Sequence, residues 1–258
     1  MALRFEVDEG IATITLSRPE ALNAIDPPTR LELRQAWADV RARDDIRVVI
    51  LTGQGGKSFC TGSDLKKTMP PKESFAELSF GRSESDHILA GMDIAQPIIC
   101  AINGYAMGGG LELALACDIR IASRTASFAL SEVRIGSIPG GGGTQRLPRA
   151  VGLSSAMLLL LTGDRIDADE ALRIGLVSKL ADPEDLMDQA RAIARRIADN
   201  APLAVRAVKR LVRDGLDMPL EGAIQMERCT FGLLRDTEDR IEGRMAFQEK
   251  RAPVYRGR

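Results

Sequence analysis

The 258-residue chain is read as an α/β fold in which a parallel sheet is covered by helices on both faces. Three observations predict it. The run Val48-Val49-Ile50-Leu51 is apolar at every position and stops at Gly53, as a strand buried on both faces requires. A strand end, a glycine loop and a helix recur in that order, first around Gly108-Gly109-Gly110 and again around Gly140-Gly141-Gly142-Gly143. From about residue 183 the glycines thin out and helical spacing takes over, so the C-terminal quarter is predicted to be helix.

Taken in order, residues 3–7 and 11–16 alternate apolar and polar around Asp8-Glu9-Gly10, which predicts two strands joined by a short turn. After Arg18-Pro19, Asp26 is placed to cap a helix with Pro27 at its first position, and Leu33, Ala36, Trp37 and Val40 follow at i, i+3, i+4 and i+7. Phe59-Cys60-Thr61-Gly62-Ser63-Asp64-Leu65 reads as a short strand, a tight turn at Gly62 and a helix from near Asp64. Residues 66–86 hold Pro70-Pro71 and many Ser, Glu and Lys; their weak periodicity predicts a mobile or partly ordered loop beside the site, of the kind that sets substrate shape. Ile98-Ile99-Cys100-Ala101-Ile102 is a strand ending at Asn103-Gly104, with a helix over 111–116 and a further strand at Ile119-Arg120-Ile121-Ala122. Phe128-Ala129-Leu130 opens a third turn, closing on a strand end at Ile138-Pro139 before the second glycine loop. Helices are expected over 186–198, 203–212 and one long stretch, 220–247.

Composition narrows the function. Hydrophobic residues at 45% and charged residues at 28% are those of a soluble globular chain, and a net charge of -1 offers no bulk attraction to nucleic acid or an anionic membrane. Cys60, Cys100, Cys117 and Cys229 are scattered without C-x-x-C spacing, which argues against a disulfide framework or a zinc site. The N-terminal residues carry charge where a secretory signal needs an apolar core, and no apolar run approaches about 18 residues, so a cytoplasmic location is expected. His87 is the single histidine and follows the polar run Ser83-Glu84-Ser85-Asp86, which disfavours a Ser-His-Asp triad or a multi-histidine metal centre.

Three places could carry chemistry, and each has a plain structural reading. The Gly62 turn could aim an N–H at a ligand, or Asp64 could simply cap the next helix. Gly108-Gly109-Gly110 leads into a helix with Glu112 in its first turn, where unpaired N–H groups favour developing negative charge; equally, the glycines could serve close packing and Glu112 the helix dipole. Glu132, after a strand, is taken alone a solvated surface residue. The glycines at 140–143 lack the G-x-x-x-x-G-K-[ST] pattern of a nucleotide-hydrolysing loop.

In their order these segments resemble the enoyl-CoA hydratase/isomerase, or crotonase, superfamily over essentially the whole chain. The series runs Arg18-Pro19-Glu20-Ala21-Leu22-Asn23-Ala24, then Phe59 through Leu65, then Asn103-Gly104-Tyr105-Ala106-Met107-Gly108-Gly109-Gly110-Leu111-Glu112, then Asp118, Ser131-Glu132-Val133-Arg134-Ile135-Gly136 and Ile138 through Arg146. The tail from Ala246 and the segment Phe128-Ala129-Leu130-Ser131-Glu132 are also similar to the carnitinyl-CoA dehydratase branch.

The resemblance implies a crotonase-like spiral of repeated ββα units over 1–195 and a helical oligomerisation region over 196–258, giving homotrimers or dimers of trimers. It implies reversible syn hydration of a 2-enoyl-CoA to a 3-hydroxyacyl-CoA, in fatty-acid or related acyl-CoA catabolism. The backbone N–H groups of Ser63 and Gly109 would bind the thioester oxygen, Glu112 would activate water, and Glu132 would protonate Cα. Contacts to coenzyme A are implied for Glu20, Ala21, Leu22, Lys57, Asp64 and Leu65, with Phe231 and Lys250 from a neighbouring subunit. Glu20 departs from the pattern, which often has a basic residue there, and Leu130 replaces a polar residue of some hydratases. No metal or separate cofactor is implied, because coenzyme A belongs to the substrate. Carnitinyl-CoA dehydration, enoyl-CoA isomerisation and a non-catalytic acyl-CoA- or RNA-binding role are the rival readings; neutral charge speaks against RNA and two retained acids against a dead site.

Overall fold

The alternating residues at the N-terminus close into a hairpin: β1 (Leu3–Asp8) pairs antiparallel with β2 (Ile11–Leu16), Leu3 opposite Leu16 and Asp8 opposite Ile11. Glu9 and Gly10 between them both have positive φ, the conformation whose twist matches the strands it joins. The computed structural model describes residues 2–68 and 87–258. A 3-10 turn (Pro19–Ala21) leads to α1 (Pro27–Ala42), followed by β3 (Val48–Gly53), β4 (Ser58–Cys60) and α2 (Leu65–Thr68). Then come β5 (Ile98–Ile102), β6 (Tyr105–Met107), α3 (Gly109–Ala116), β7 (Ile119–Ser123), β8 (Ser127–Ala129) and a second 3-10 turn (Glu132–Ile135). The chain continues as α4 (Gly143–Val151), α5 (Leu153–Thr162), β9 (Ile166–Asp167), α6 (Ala168–Arg173) and β10 (Lys179–Ala181). It finishes with α7 (Leu186–Ala198), α8 (Pro202–Gly215), α9 (Leu220–Leu234) and α10 (Glu238–Glu249).

The strands form two sheets, ordered β1-β2-β3-β5-β7-β10 and β4-β6-β8-β9. Each strand of the run β3, β5, β7 in the first sheet is followed in the chain by one of the run β4, β6, β8 in the second, and both runs pair parallel. Successive strand pairs therefore stack as turns of a spiral, the repeated unit expected from the sequence. Alternate residues of β3 serve two cores. Val49 and Leu51 pack with Ile14, Trp37, Ile98 and Phe128 in the main core. Val48 and Ile50 pack on the other face with Ile99, Ile121 and the Leu186, Ala190, Ala194 and Ala198 stripe of α7. Three small residues at i+4 spacing let that helix lie close on the sheet, and burial on both faces is why the strand reads as an unbroken apolar run.

The structure changes three expectations. The third turn's strand ends at Ala129; Ile138 is exposed, and the backbone between the second 3-10 turn and α4 forms no strand. The long helix expected over 220–247 is two helices, because Thr237 takes an extended conformation and its side chain accepts from the Arg240 N–H, starting α10 afresh. The loop expected from Lys66 is helical as far as Thr68, and residues 69–86 lie outside the described residues. Strands β6, β9 and β10 span only two or three residues, too few to show a period.

Asp26 ties the start of α1 to the turn that bears Ser63. Its Oδ1 accepts from the Thr29 N–H at 3.0 Å, and its Oδ2 accepts from Lys67 Nζ at 2.5 Å, with Arg18 Nη1 3.4 Å away. Burial alone would raise its pKa, but Lys67, Thr29 and Arg18 outweigh that and hold the carboxyl well below the usual range. Arg18 reaches on to Asp64 Oδ2 at 3.0 Å. Asp26→Ala is expected to cost about 1–2 kcal/mol in urea unfolding at neutral pH. A depressed folded pKa contributes stability above the unfolded value, so the deficit should narrow as the pH falls below 3.8.

Candidate active site

Three consecutive turns of the spiral each deliver one element to the same place, just past the carboxyl ends of β4, β6 and β8. The Gly62-Ser63 turn follows β4, and is pinned from one side by Ile25: the Ile25 N–H donates to the Gly62 carbonyl at 2.8 Å and the Asp64 N–H donates to the Ile25 carbonyl at 3.0 Å. In a trans peptide the N–H points opposite to the carbonyl, so the Ser63 N–H faces away from Ile25. Gly62 has φ of +83°, and a Cβ there would lie 2.7 Å from the Gly109 nitrogen, so only glycine permits both the turn and the approach.

Gly109 begins α3 by the same arrangement. The Gly108 carbonyl accepts the Glu112 N–H at 3.1 Å as the first bond of the helix, which turns the Gly109 N–H outward. A Cβ built on Gly109 would stand 3.7 Å from the Ser63 nitrogen, so the two amides are neighbours. Neither donates to an acceptor among the described residues. The adjacent Gly110 lets α3 press against β4, since a Cβ there would meet the Cys60 carbonyl oxygen at 2.0 Å. Two outward N–H groups and a helix N-terminus together make a site for an oxygen that gains negative charge.

Glu112 is buried, one helical turn in from Gly109, and points into the glycine loop ahead of α4. Its Oε1 accepts the Gly141 N–H at 2.6 Å and the Gly143 N–H at 2.8 Å. Glu132 opens the second 3-10 turn and is half-buried. Its Oε2 is buried and has no hydrogen-bond partner among the described residues. Burial raises the Glu132 pKa; a backbone hydrogen bond opposes the shift, and the nearby Glu112 charge adds to it. One carboxylate is thus held by two donors, while the other lies where charge is disfavoured.

All four groups line one cleft of about 450 Å³, with Leu65, Ile88, Met107, Ile135 and Ile138 as its apolar wall. That volume suits a small acyl group with a few polar anchors. A family model described as enoyl-CoA hydratase/isomerase matches residues 6–258. The chain belongs to the enoyl-CoA hydratase/isomerase family. It is 52% identical over 257 residues to the (E)-benzylidenesuccinyl-CoA hydratase of Thauera aromatica, covering 100% of both chains. It is 40% identical to a carnitinyl-CoA dehydratase of Citrobacter koseri, over 100% of this chain and 99% of that one. The crystal structure of an enoyl-CoA hydratase from Bacillus anthracis superposes with a TM-score of 0.92 at 37% identity, covering 100% of each chain.

Within this family member, the structure gathers Ser63, Leu65, Gly109, Glu112 and Glu132 around the cleft. Asp64 turns away to Arg18. Glu20, Ala21 and Leu22 lie outside the cleft wall but beside it: the Leu22 carbonyl accepts Ser58 Oγ at 2.8 Å, and exposed Lys57 immediately precedes β4. Phe231 borders a separate groove with Leu203, Leu234 and Tyr255, and Lys250 caps the end of α10; neither lines the cleft of its own chain. Leu130 is buried against the glycine loop rather than on the cleft wall. Asp118 is structural, its Oδ2 accepting from the Ile98 N–H at 2.7 Å and from Lys209 of α8 at 2.8 Å. All four cysteines are free thiols, three of them buried. Among the described residues no group of three or more His, Cys, Asp or Glu side chains could hold a metal ion, and no helix is long and apolar enough to cross a membrane.

Two cleft residues escaped the sequence reading. Arg30 is buried on the same stripe of α1 as Leu33, Trp37 and Val40, and a charge on an apolar stripe was the available signal. His87 lines the cleft against the glycine loop, and nothing in its polar run announces that.

A glutamate whose folded pKa is raised binds more protons folded than unfolded, so it subtracts stability as the pH rises from 4.5 through the folded pKa. Glu132→Gln should therefore raise Tm at pH 7 by about 1–2 °C, a gain that disappears in scans run below pH 4.5.

Proposed function

We propose that this protein is an enoyl-CoA hydratase, adding water reversibly and syn across a 2-enoyl-CoA to give a 3-hydroxyacyl-CoA. The observation that carries the reading is the meeting of two carboxylates and two outward backbone N–H groups around one cleft. Glu112, its Oε1 already occupied by two amides, holds water and takes a proton from it as the water oxygen bonds to Cβ. The electrons of the double bond pass to the thioester oxygen, where the Ser63 and Gly109 N–H groups stabilise the enolate. The enolate collapses by taking a proton at Cα from Glu132, whose raised pKa favours the acid form. Dehydration runs the same proton transfers backwards. Each turnover leaves Glu112 protonated and Glu132 ionised, and exchange of one proton with solvent at each carboxyl restores both; no atom changes oxidation state beyond the addition of water.

The 52% identity to an enoyl-CoA-type hydratase against 40% to a carnitinyl-CoA dehydratase, with the apolar side chains of the cleft wall, supports the hydratase reading ahead of the carnitinyl one. Leu22, whose carbonyl accepts from Thr61 of the cleft at 3.4 Å, exposed Lys57 and the 63–65 turn are proposed to carry the coenzyme A moiety. Exposed Val208 and Val212 of α8, Phe231 and Leu233 of α9 and Phe247 of α10 are apolar side chains suited to packing between subunits. A homotrimer or a dimer of trimers, with Phe231 and Lys250 reaching a neighbour's coenzyme A, is proposed on that basis.

Loss of the enoyl-thioester absorbance of crotonyl-CoA tests the activity. Glu112→Gln and Glu132→Gln should each lower kcat at least about 100-fold; near wild-type turnover in both would sink the mechanism. Ser63→Ala should stay within about 3-fold of wild type, because the donor is the backbone. A panel of crotonyl-CoA, longer 2-enoyl-CoAs, (E)-benzylidenesuccinyl-CoA and crotonobetainyl-CoA should place the last as the poorest substrate. Conversion of 3-enoyl-CoAs with every 2-enoyl thioester inert would establish the isomerase instead.

A further inference from the structure

The glycine loop that holds Glu112 is itself held, and not equally at its two donating peptides. The Gly142–Gly143 peptide gives its N–H to Glu112, and its carbonyl is fixed by the first turn of α4, accepting from Gln145 N–H at 3.0 Å and Arg146 N–H at 2.8 Å. The peptide between, Gly141–Gly142, is anchored by Arg146 Nη1 on the Gly141 carbonyl at 2.7 Å. The Gly140–Gly141 peptide, which makes the shorter bond to Glu112, gets no such help from the helix. Its carbonyl meets His87 Nε2 at 2.9 Å. Among the described residues that is the contact holding it.

The chemistry of His87 is settled by its two partners. The Leu89 N–H can only donate, and does so to Nδ1 at 3.2 Å; the Gly140 carbonyl can only accept. Both contacts are made at once by the neutral imidazole with its proton on Nε2. The result is a continuous chain: His87 Nε2–H to the Gly140 carbonyl, across one planar peptide, and from the Gly141 N–H to Glu112 Oε1. Because carbonyl and N–H point opposite ways in a trans peptide, a bond at each end fixes the plane, and each bond polarises the other.

We propose that His87 is a positioning residue for Glu112, setting through the Gly140–Gly141 peptide the orientation of the carboxylate that holds and deprotonates water. The proposal rests on the assignment of Glu112 above. It requires no contact between His87 and substrate, so its removal acts on the chemical step rather than on binding.

The test compares His87→Ala and His87→Gln with the wild type by crotonyl-CoA kinetics, thermal unfolding and amide hydrogen exchange of peptides spanning 139–146. The alanine variant should lose about 10-fold in kcat with KM within 2-fold and Tm unchanged, and exchange at Gly141 should accelerate. Glutamine, which can still offer an N–H to the Gly140 carbonyl, should recover most of the rate and the protection. His87→Leu, of similar bulk without a donor, replaces alanine if that chain does not fold. Unchanged exchange in the donor-less variant overturns the proposal, as does faster exchange with undiminished kcat, or an equal loss in the glutamine variant. If the wild type hydrates no 2-enoyl thioester, the functional reading fails, while the exchange measurement still decides whether His87 holds the loop.

Discussion

The planarity of the trans peptide is the constraint on which the site depends. Each backbone donor of the site is presented by a peptide whose carbonyl is already engaged elsewhere: Gly62 to Ile25, Gly108 to the start of α3, Gly142 to the start of α4, and Gly140 to His87. A carbonyl committed to the scaffold leaves its N–H no choice of direction. Side chains lose rotamer entropy when they are aimed, whereas these donors are aimed by bonds the fold makes anyway. The crowding of glycines follows directly, because backbones that approach this closely leave no room for a Cβ at Gly62 or Gly110.

The same scaffold makes two identical side chains unlike. Glu112 is met by two amides at the head of α4, and Glu132 sits half-buried with one oxygen unpartnered and a second carboxylate nearby. Two amides hold the first in place, and burial opposes charge on the second. The arrangement is costly to the fold at Glu132, as expected where function and stability compete for one position.

Much of this was legible in the sequence. The hairpin, the Asp26 cap, the doubly buried strand and α7 all announce themselves through periodicity or capping chemistry, since they answer to local rules. Glu112 and Glu132, by contrast, look structural when taken singly and gain meaning from their order relative to Ser63 and Gly109. What stayed hidden is what no period encodes. The strands of the second sheet are two or three residues long, Ile138 mimics a strand end by being apolar, and the break at Thr237 is a single capping residue inside a helical pattern. His87 reaches the cleft through tertiary packing, from a segment that carries no motif, and Arg30 is marked only as a charge on the apolar stripe of α1.

Ser63, Gly109 and Glu132 follow β4, β6 and β8, neighbours in one parallel ladder. Such a ladder is a ruler, its graduations set at about 4.8 Å by backbone hydrogen bonds and indifferent to side chains. Connections between rungs can therefore lengthen, shorten or change composition, and the two outward amides and the Glu132 carboxyl keep their separation. A scaffold built in this way can be re-tailored for new ligands by editing its walls, while the spacing of its polar groups is copied unaltered.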